Sequence, residues 1–214
     1  MKQWKNTVFL RNADRYSEIP RDTVRLAIVP EQQELAEYLR QHGWFMIDRT
    51  MQATISLKKS IDFHRFCRIP VEKKDALTPR IYEISEAAFL WDTRFYTQSY
   101  PLVEDICQQI ISYVDLVQSY YVCCFKDEIA GFLEVVPDRD KPNTSAEIRL
   151  AAVDEKYRPA GVALSMYAGV AEVCREKGIQ KLWGRISSRN MSVLNLYVAL
   201  GAYFSLPLDI YVRR

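Results

Sequence analysis

Two strand–helix–strand crossovers in succession constrain this chain more than any other feature. "AEIRLAAVD" alternates as a strand, and "EKYRPAGVAL" opens a long helical pattern that stops at Gly178. "KLWGRI" is a strand again, "SSRNMSVLNLYVALGA" is a helix ending at Gly201, and "YFSLPLDIYVRR" supplies one or two last strands. Strands joined through a helix run parallel, because only a long connection returns the chain to the same end of a sheet. Just upstream, "YYVCCFKDEIAGFLEVV" reads as two strands around a tight "KDE" turn, which makes an antiparallel pair. A chain that carries both kinds of connection builds a mixed sheet flanked by helices, in the α/β (α+β) class.

The pattern extends upstream. A helix near Lys74 to Phe89 puts Leu77, Ile81, Ile84 and Ala88 on one face, with Pro79 either inside it or in its first turn. A second helix, Val103 to Val117, aligns Ile106, Ile110, Val114 and Val117. "WDTRFYTQSYP" between them is an aromatic and polar loop, and "FHRFCRI" reads as a strand ended by Pro70. Farther back come a strand from Val24 to Val29, a short helix closed by Gly43, and one or two strands from Trp44 to Lys58. Residues 1–60 thus read as a small N-terminal subdomain, a reduced β-α-β-β unit too small to bury a core alone. Residues 61–214 form the main domain. Residues up to about Pro20 show no clear period and read as a loosely held arm.

Bulk properties narrow the partners. With 29 basic and 27 acidic residues interspersed, the net charge of +2 gives no general attraction to nucleic acid or acidic lipid. No apolar run is long enough for a bilayer or for a signal peptide, so a cytoplasmic protein is expected. Five cysteines without a C-x-x-C pair read as buried reduced thiols. There is no Ser-His-Asp or metal-ligand constellation, and His42 and His64 lie outside the sites considered below.

The junction "EKYRPAGVAL" has no Ser, Thr, Asp or Asn directly before the helix. Uncapped first-turn amides at the positive end of a helix dipole make an anion site. Ala160, Gly161, Val162 and Ala163 would offer N–H groups, small side chains let a phosphate approach, and Arg158 adds a cation. The plainer alternative is an ordinary helix start with an incidental arginine. In the next crossover Asn190 and Tyr197 stand seven residues apart, near two helical turns, and share a face. Taken alone, they are an N-cap and a core aromatic.

Together these units resemble the GNAT superfamily of N-acetyltransferases. Arg158, Gly161 and Ala163 match its acetyl-CoA motif, and Asn190, Tyr197 and Gly201 match its later N…Y…G pattern. Two departures stand out: the usual "RGKG" reads "RPAG", which loses a lysine for the CoA 3′-phosphate, and Gly-Phe becomes Gly201-Ala202. The resemblance implies the GNAT fold and acetyl-CoA as cosubstrate, with no metal. It implies a pantetheine arm beside Ala152 and Val153, positioning by Asn190, and Tyr197 as general acid. A phenol is protonated at neutral pH and can donate to a thiolate. For the general base the candidates are Glu147, then Glu134, then water.

The stretches "LAEYLRQHGWFMIDRTMQATISLKK" and "EISEAAFLWDTRFYTQSYP" further resemble the bacterial dTDP-fucosamine acetyltransferases, which acetylate the 4-amino group of a nucleotide-linked sugar. That likeness implies that Arg94 pairs with the phosphates while Phe95 or Tyr96 stacks on the base. An acetyltransferase for another small amine or a peptide N-terminus, and a non-catalytic acyl-CoA-binding module, stay open, as does a homodimer.

Overall fold

In the computed structural model, the described residues are the backbone of Thr7–Leu10 and residues 19, 23–30, 33–58 and 61–214. In chain order the elements are β1 (Thr7–Leu10), β2 (Arg25–Ile28), α1 (Gln33–Gln41), β3 (Trp44–Ser56), β4 (Val71–Lys74), α2 (Pro79–Phe89) and α3 (Val103–Val114). Then follow β5 (Tyr120–Phe125), β6 (Glu128–Pro137), β7 (Ser145–Val153), α4 (Val162–Glu176), β8 (Lys181–Ser187), α5 (Met191–Ala199) and β9 (Tyr203–Arg213). The nine strands among the described residues form one sheet in the order β1-β2-β9-β3-β8-β7-β6-β5-β4. The expected arm up to Pro20 lies outside the described residues apart from β1 and residue 19.

The sheet is mixed for the reasons legible in the connections. The β5–β6 hairpin closes through Lys126 and Asp127, both at positive φ (52° and 66°), the backbone that matches the twist of adjoining strands. β7 and β8, joined through α4, run parallel. β3 runs antiparallel to β8 on one side and to β9 on the other, which makes β8 and β9 parallel as the α5 crossover requires. The strands of the first sixty residues therefore join the same sheet as the rest. β3, thirteen residues long, is wedged into its middle.

Helices cover both faces. α2 and α3 pack Ile81, Ile84, Ile106, Ile110 and Val114 on Tyr120, Val122, Phe132, Leu150 and Ala152. Each such burial contributes about 1.5–3 kcal/mol. On the other face α4, with Tyr197 and Leu200, packs on Tyr121, Cys123, Leu133, Ala146, Ile148 and Leu182. α1 covers Leu26, Ile28, Trp44 and Tyr211.

Three expectations change. The segment from Phe63 to Ile69 is a 3-10 turn at His64–Phe66, and the strand follows Pro70 as β4. Phe63, Phe66 and Cys67 are spaced for a turn that puts Phe63, fully buried, under α4. Pro79 sits in the first turn of α2, where its missing N–H costs nothing, so the helix starts there and not near Lys74. Of the five cysteines, all unpaired, only Cys123 and Cys174 are buried, and the other three are half-exposed.

Candidate active site

The site begins where two parallel strands part. β7 and β8 pair at Ser145–Lys181, Ala146–Leu182 and Glu147–Trp183 and no farther. Beyond Glu147, β7 continues to Val153 on β6, while β8 continues to Ser187 on β3. A bulge at Arg149, between the Glu134–Leu150 and Val135–Ile148 pairs, bends β7 at this point. The parting leaves a wedge through the sheet and frees one edge of β7 from Ile148 onward, including Ala152 and Val153. An extended ligand carrying amides can pair with such an edge as a strand would.

On the α4–α5 face the wedge is filled by Tyr197, 1% exposed. A Cβ at Gly184 would lie 2.5 Å from the Tyr197 hydroxyl and 3.3 Å from the Ile148 carbonyl, so the missing side chain admits the phenol to the mouth of the wedge. Tyr167 of α4 stands edge-on to Tyr197, with ring centroids 5.5 Å apart. Burial lifts the Tyr197 pKa well above 10, and Tyr167 beside it adds to the rise. Burial likewise pushes Tyr167 up to about 12. Both phenols hold their protons at neutral pH.

The start of α4 differs in detail from expectation. Glu155–Ala160 is a 3-10 turn whose first amides are capped by Asp154, which accepts from the Lys156 N–H at 2.9 Å. The α-helix begins at Val162. Gly161 precedes it in the left-handed conformation (φ 73°), with no atom within 4 Å of where a Cβ would be. No side chain among the described residues caps α4, so the N–H groups of Val162, Ala163 and Leu164 are without an intrahelical partner. Ala160 and Gly161 are exposed, and Val162 is buried as an anchor. Arg158 is exposed, its Nε donating to the Val153 carbonyl at 3.4 Å. An uncapped helix start beside the freed edge of β7 fits a pyrophosphate with an extended amide arm. Asn190 caps α5, its Oδ1 accepting from the Val193 N–H at 3.2 Å.

On the α2–α3 face the carboxylates separate cleanly. Glu134, 1% exposed, is held by Arg149, whose Nε donates at 2.5 Å and whose Nη2 also reaches it. Burial raises its pKa, but Arg149 opposes the rise and occupies both carboxylate oxygens. Glu147, at the origin of the wedge, makes no side-chain hydrogen bond or ion pair among the described residues. Burial raises its pKa above the ordinary carboxyl range, against the pull of Arg149.

The loop "DTRFY" closes this face. Arg94 donates from Nε and Nη2 to Asp92, at 2.9 and 2.7 Å, and from Nη1 to the Arg149 carbonyl at 3.0 Å. Burial opposes its charge, yet Asp92 holds its pKa above the usual arginine range. Two of its five N–H bonds make no hydrogen bond among the described residues, and the guanidinium lies over the Phe89 and Phe95 rings. Phe95 does not stand where stacking on a base requires: it is 4% exposed and packs on Phe89 and Tyr113. Tyr96, next to it, is half-buried.

The loop is gripped from the N-terminal strands. Arg25 of β2 donates to the Thr93 carbonyl at 2.6 Å and also reaches those of Arg94 and Tyr96. Asp48 of β3, 2% exposed, accepts from the Thr93 hydroxyl at 2.6 Å and the Ser187 hydroxyl at 2.8 Å. Sequence reasoning missed Tyr167, Arg149, Arg25 and Asp48. Arg149 left a trace, as a charge inside the apolar run "IRLAAV", and Asp48 left one inside "WFMIDRT". Tyr167 left none, since a tyrosine on an apolar helix face reads as core.

A model of the acetyltransferase (GNAT) family matches residues 79–202. No curated protein sequence matches the chain. Among solved structures, a functionally unknown conserved protein from Staphylococcus epidermidis is 12% identical, with 89% of this chain and 73% of that one covered at a TM-score of 0.60. A GCN5-related N-acetyltransferase from Sphaerobacter thermophilus is 13% identical, covering 87% and 58% at 0.55. A GCN5-related glucosamine N-acetyltransferase region of a fungal multi-domain β-N-acetylglucosaminidase is 12% identical, covering 87% and 25% at 0.58. At these identities the likeness is one of fold. The chain spans less than two thirds of the length of the second and third of these structures.

Proposed function

From the premise that this chain belongs to the acetyltransferase (GNAT) family, we propose that it transfers the acetyl group of acetyl-CoA to the amino group of a nucleotide-linked amino sugar. The single observation that carries the transfer reading is the wedge between β7 and β8, with a protonated phenol at one face and an unpaired carboxylate at the other. Acetyl-CoA supplies an acyl group on a thioester. The α4 amides from Val162 to Leu164, with Ala160, Gly161 and Arg158 around them, hold its phosphates. The β7 edge at Ala152 and Val153 aligns its arm, and Asn190 stands near the arm's path while capping α5.

Each terminal role follows from its surroundings. Glu147 takes a proton from the incoming amine, a role that its raised pKa suits because the group then titrates nearer neutrality. Tyr197 holds its proton at the hydroxyl oxygen until a thiolate leaves, and Tyr167 keeps that hydroxyl directed into the wedge. Within residues 1–60 the strands β2 and β3 extend the sheet and hold the acceptor loop through Arg25 and Asp48, while residues 61–214 carry the chemistry.

Support for the amino sugar comes from the sequence likeness around "DTRFY", from the two N–H bonds of Arg94, on the acceptor side, that make no hydrogen bond among the described residues, and from the fold. That fold serves a glucosamine N-acetyltransferase region in a fungal protein. The test varies acetyl-CoA and dTDP-4-amino-4,6-dideoxygalactose in turn. Arg94→Lys should raise the KM of the sugar nucleotide and leave that of acetyl-CoA unmoved, because an ammonium cannot reproduce the guanidinium fork. Acetylation of a peptide or free amine with none of any nucleotide-linked amino sugar would reject the amino-sugar reading.

A further inference from the structure

The register of the sheet lines up a second set of groups on the acceptor face. Glu147 of β7 lies opposite Trp183 of β8, Trp183 opposite Thr54 of β3, and Thr54 opposite Tyr203 of β9. Residues directly opposite share a face. Two positions along, Arg185, Gln52 and Ser205 form the next row. This is the face of the "DTRFY" loop, because Ser187, in phase with Trp183 and Arg185, reaches Asp48 and through it Thr93. Leu182 and Gly184 point the other way, to the α4–α5 core.

The charges on this face are nearly all matched. Arg149 pairs with Glu134 and Arg94 with Asp92. Asp48 is hydrogen-bonded to Thr93 and Ser187, with Arg189 4.0 Å away, and Arg25 is engaged by three carbonyls of the loop. Asp138 is bonded to Trp183 Nε1 and Ser145. Apart from Lys181, in phase with Trp183 but exposed, two groups, both half-buried, are left over among the described residues. Glu147 has no partner, and Arg185 has no carboxylate within ion-pair distance. Arg185 Nη1 is anchored at 3.1 Å to the Thr50 hydroxyl and at 3.1 Å to the Leu206 carbonyl, which leaves the Nε–Nη2 edge of the fork unengaged. That edge is the one that takes a carboxylate or phosphate with two parallel hydrogen bonds.

We propose that Arg185 and Glu147 form a charge-matched acceptor site, in which Glu147 receives the amine and Arg185 binds an anionic group of the same molecule, a phosphate or a carboxylate. Two residues along a strand and one strand across set the charges about 7–10 Å apart. Burial lowers the Arg185 pKa, with Glu147 opposing, so an anion is also what restores the charge balance there. The proposal rests on the acetyltransferase reading for the role of Glu147, and Arg185 is then the residue that selects among amines.

The experiment compares two pairs of amines that differ by the anion: galactosamine 1-phosphate with galactosamine, and 4-aminobutyrate with butylamine. In the wild type the charged member of at least one pair should have a kcat/KM at least tenfold above its twin, and the pair that shows this identifies phosphate or carboxylate. Arg185→Gln should shrink that preference at least tenfold, through the acceptor KM more than through kcat, with acetyl-CoA affinity within twofold. Arg185→Lys, which keeps the charge and loses the fork, should recover part of it. Equal treatment of both members of both pairs by the wild type, or full preference in Arg185→Gln, overturns the site. If no amine is acetylated, the proposed function falls. Calorimetric titration of galactosamine 1-phosphate into CoA-bound protein then decides separately. Binding that is lost in Arg185→Gln supports the anion site, and equal or absent binding overturns it.

Discussion

Adding one methyl group at Gly184 should disable the enzyme without touching either substrate. The new Cβ would stand 2.5 Å from the Tyr197 hydroxyl, where ordinary contact begins at 3.4 Å, so the hydroxyl must retreat by about 0.9 Å. Tyr197 is 1% exposed and hemmed in by Tyr167, so it has no free volume to swing into. Overpacking of this kind costs about 1–3 kcal/mol, which lowers Tm by about 2–4 °C for each kcal/mol in a chain of this size. Misplacing a reacting group by about 1 Å costs about 10²-fold in rate. Gly184→Ala is therefore expected to lose about two orders of magnitude in kcat while CoA affinity, set at the start of α4, holds. Tyr197→Phe removes the very atom the methyl group meets. In that background Gly184→Ala should cost less stability, the tight contact with the Ile148 carbonyl being what is left. Steady-state kinetics and thermal melts on the four proteins of the cycle check this. A Gly184→Ala protein with wild-type kcat and Tm, or an equal loss of Tm in both backgrounds, would refute the placement of the phenol.

Gly161→Asp puts a natural cap on the amides assigned to phosphate, and with it a negative charge. CoA affinity by calorimetry should fall at least tenfold, with about 1–2 kcal/mol of strain from the left-handed backbone, and undiminished affinity would move the anion site elsewhere. Glu147→Gln should abolish the acidic limb of the kcat/KM profile, which in the wild type lies above the ordinary glutamate value because burial raises this pKa. The sign for stability is opposite. A raised folded-state pKa means that the stability contributed by Glu147 is present at low pH and lost as pH rises through it. The glutamine variant should therefore melt no lower than the wild type at pH 7, and a lower melt there would contradict the burial of an unpaired carboxylate. Asp48→Ala leaves the hydroxyl protons of Thr93 and Ser187 without their acceptor, at a cost of about 1–3 kcal/mol. It should raise the acceptor KM more than that of acetyl-CoA, and an equal change in both would deny the loop-holding role.

What could be read from the sequence was whatever depends on local order. The run of elements from α2 onward, the Pro79 start of α2 as one of two options, the hairpin at Lys126–Asp127 and the stops at Gly178 and Gly201 all follow from short-range pattern and turn chemistry. Pairing across the chain does not. Nothing in "WFMIDRTMQATIS" says that this strand enters between β8 and β9, because strand partners far apart in sequence are chosen by the whole sheet. The same limit hid the site's second half. Arg25, Asp48 and Thr93 meet only because β2, β3 and the α2–α3 loop converge, and Arg185 becomes distinctive only once its neighbours prove to be paired. Asn190 and Tyr197 show the converse: each is structurally the cap and the buried aromatic that its position alone suggests, and only the wedge beside them supports the chemical roles proposed for them.

The central claim is that Tyr197 delivers a proton during acyl transfer from acetyl-CoA to an amine. Transfer of a ¹³C-acetyl group from labelled acetyl-CoA to dTDP-4-amino-4,6-dideoxygalactose, followed by NMR in wild type and Tyr197→Phe, tests it most directly. The account predicts an N-acetyl product from the wild type. It predicts the same product formed about 10²–10⁴-fold more slowly by the phenylalanine variant, at unchanged CoA affinity. Label recovered only as acetate, or a phenylalanine variant that acetylates at the full rate, would contradict it.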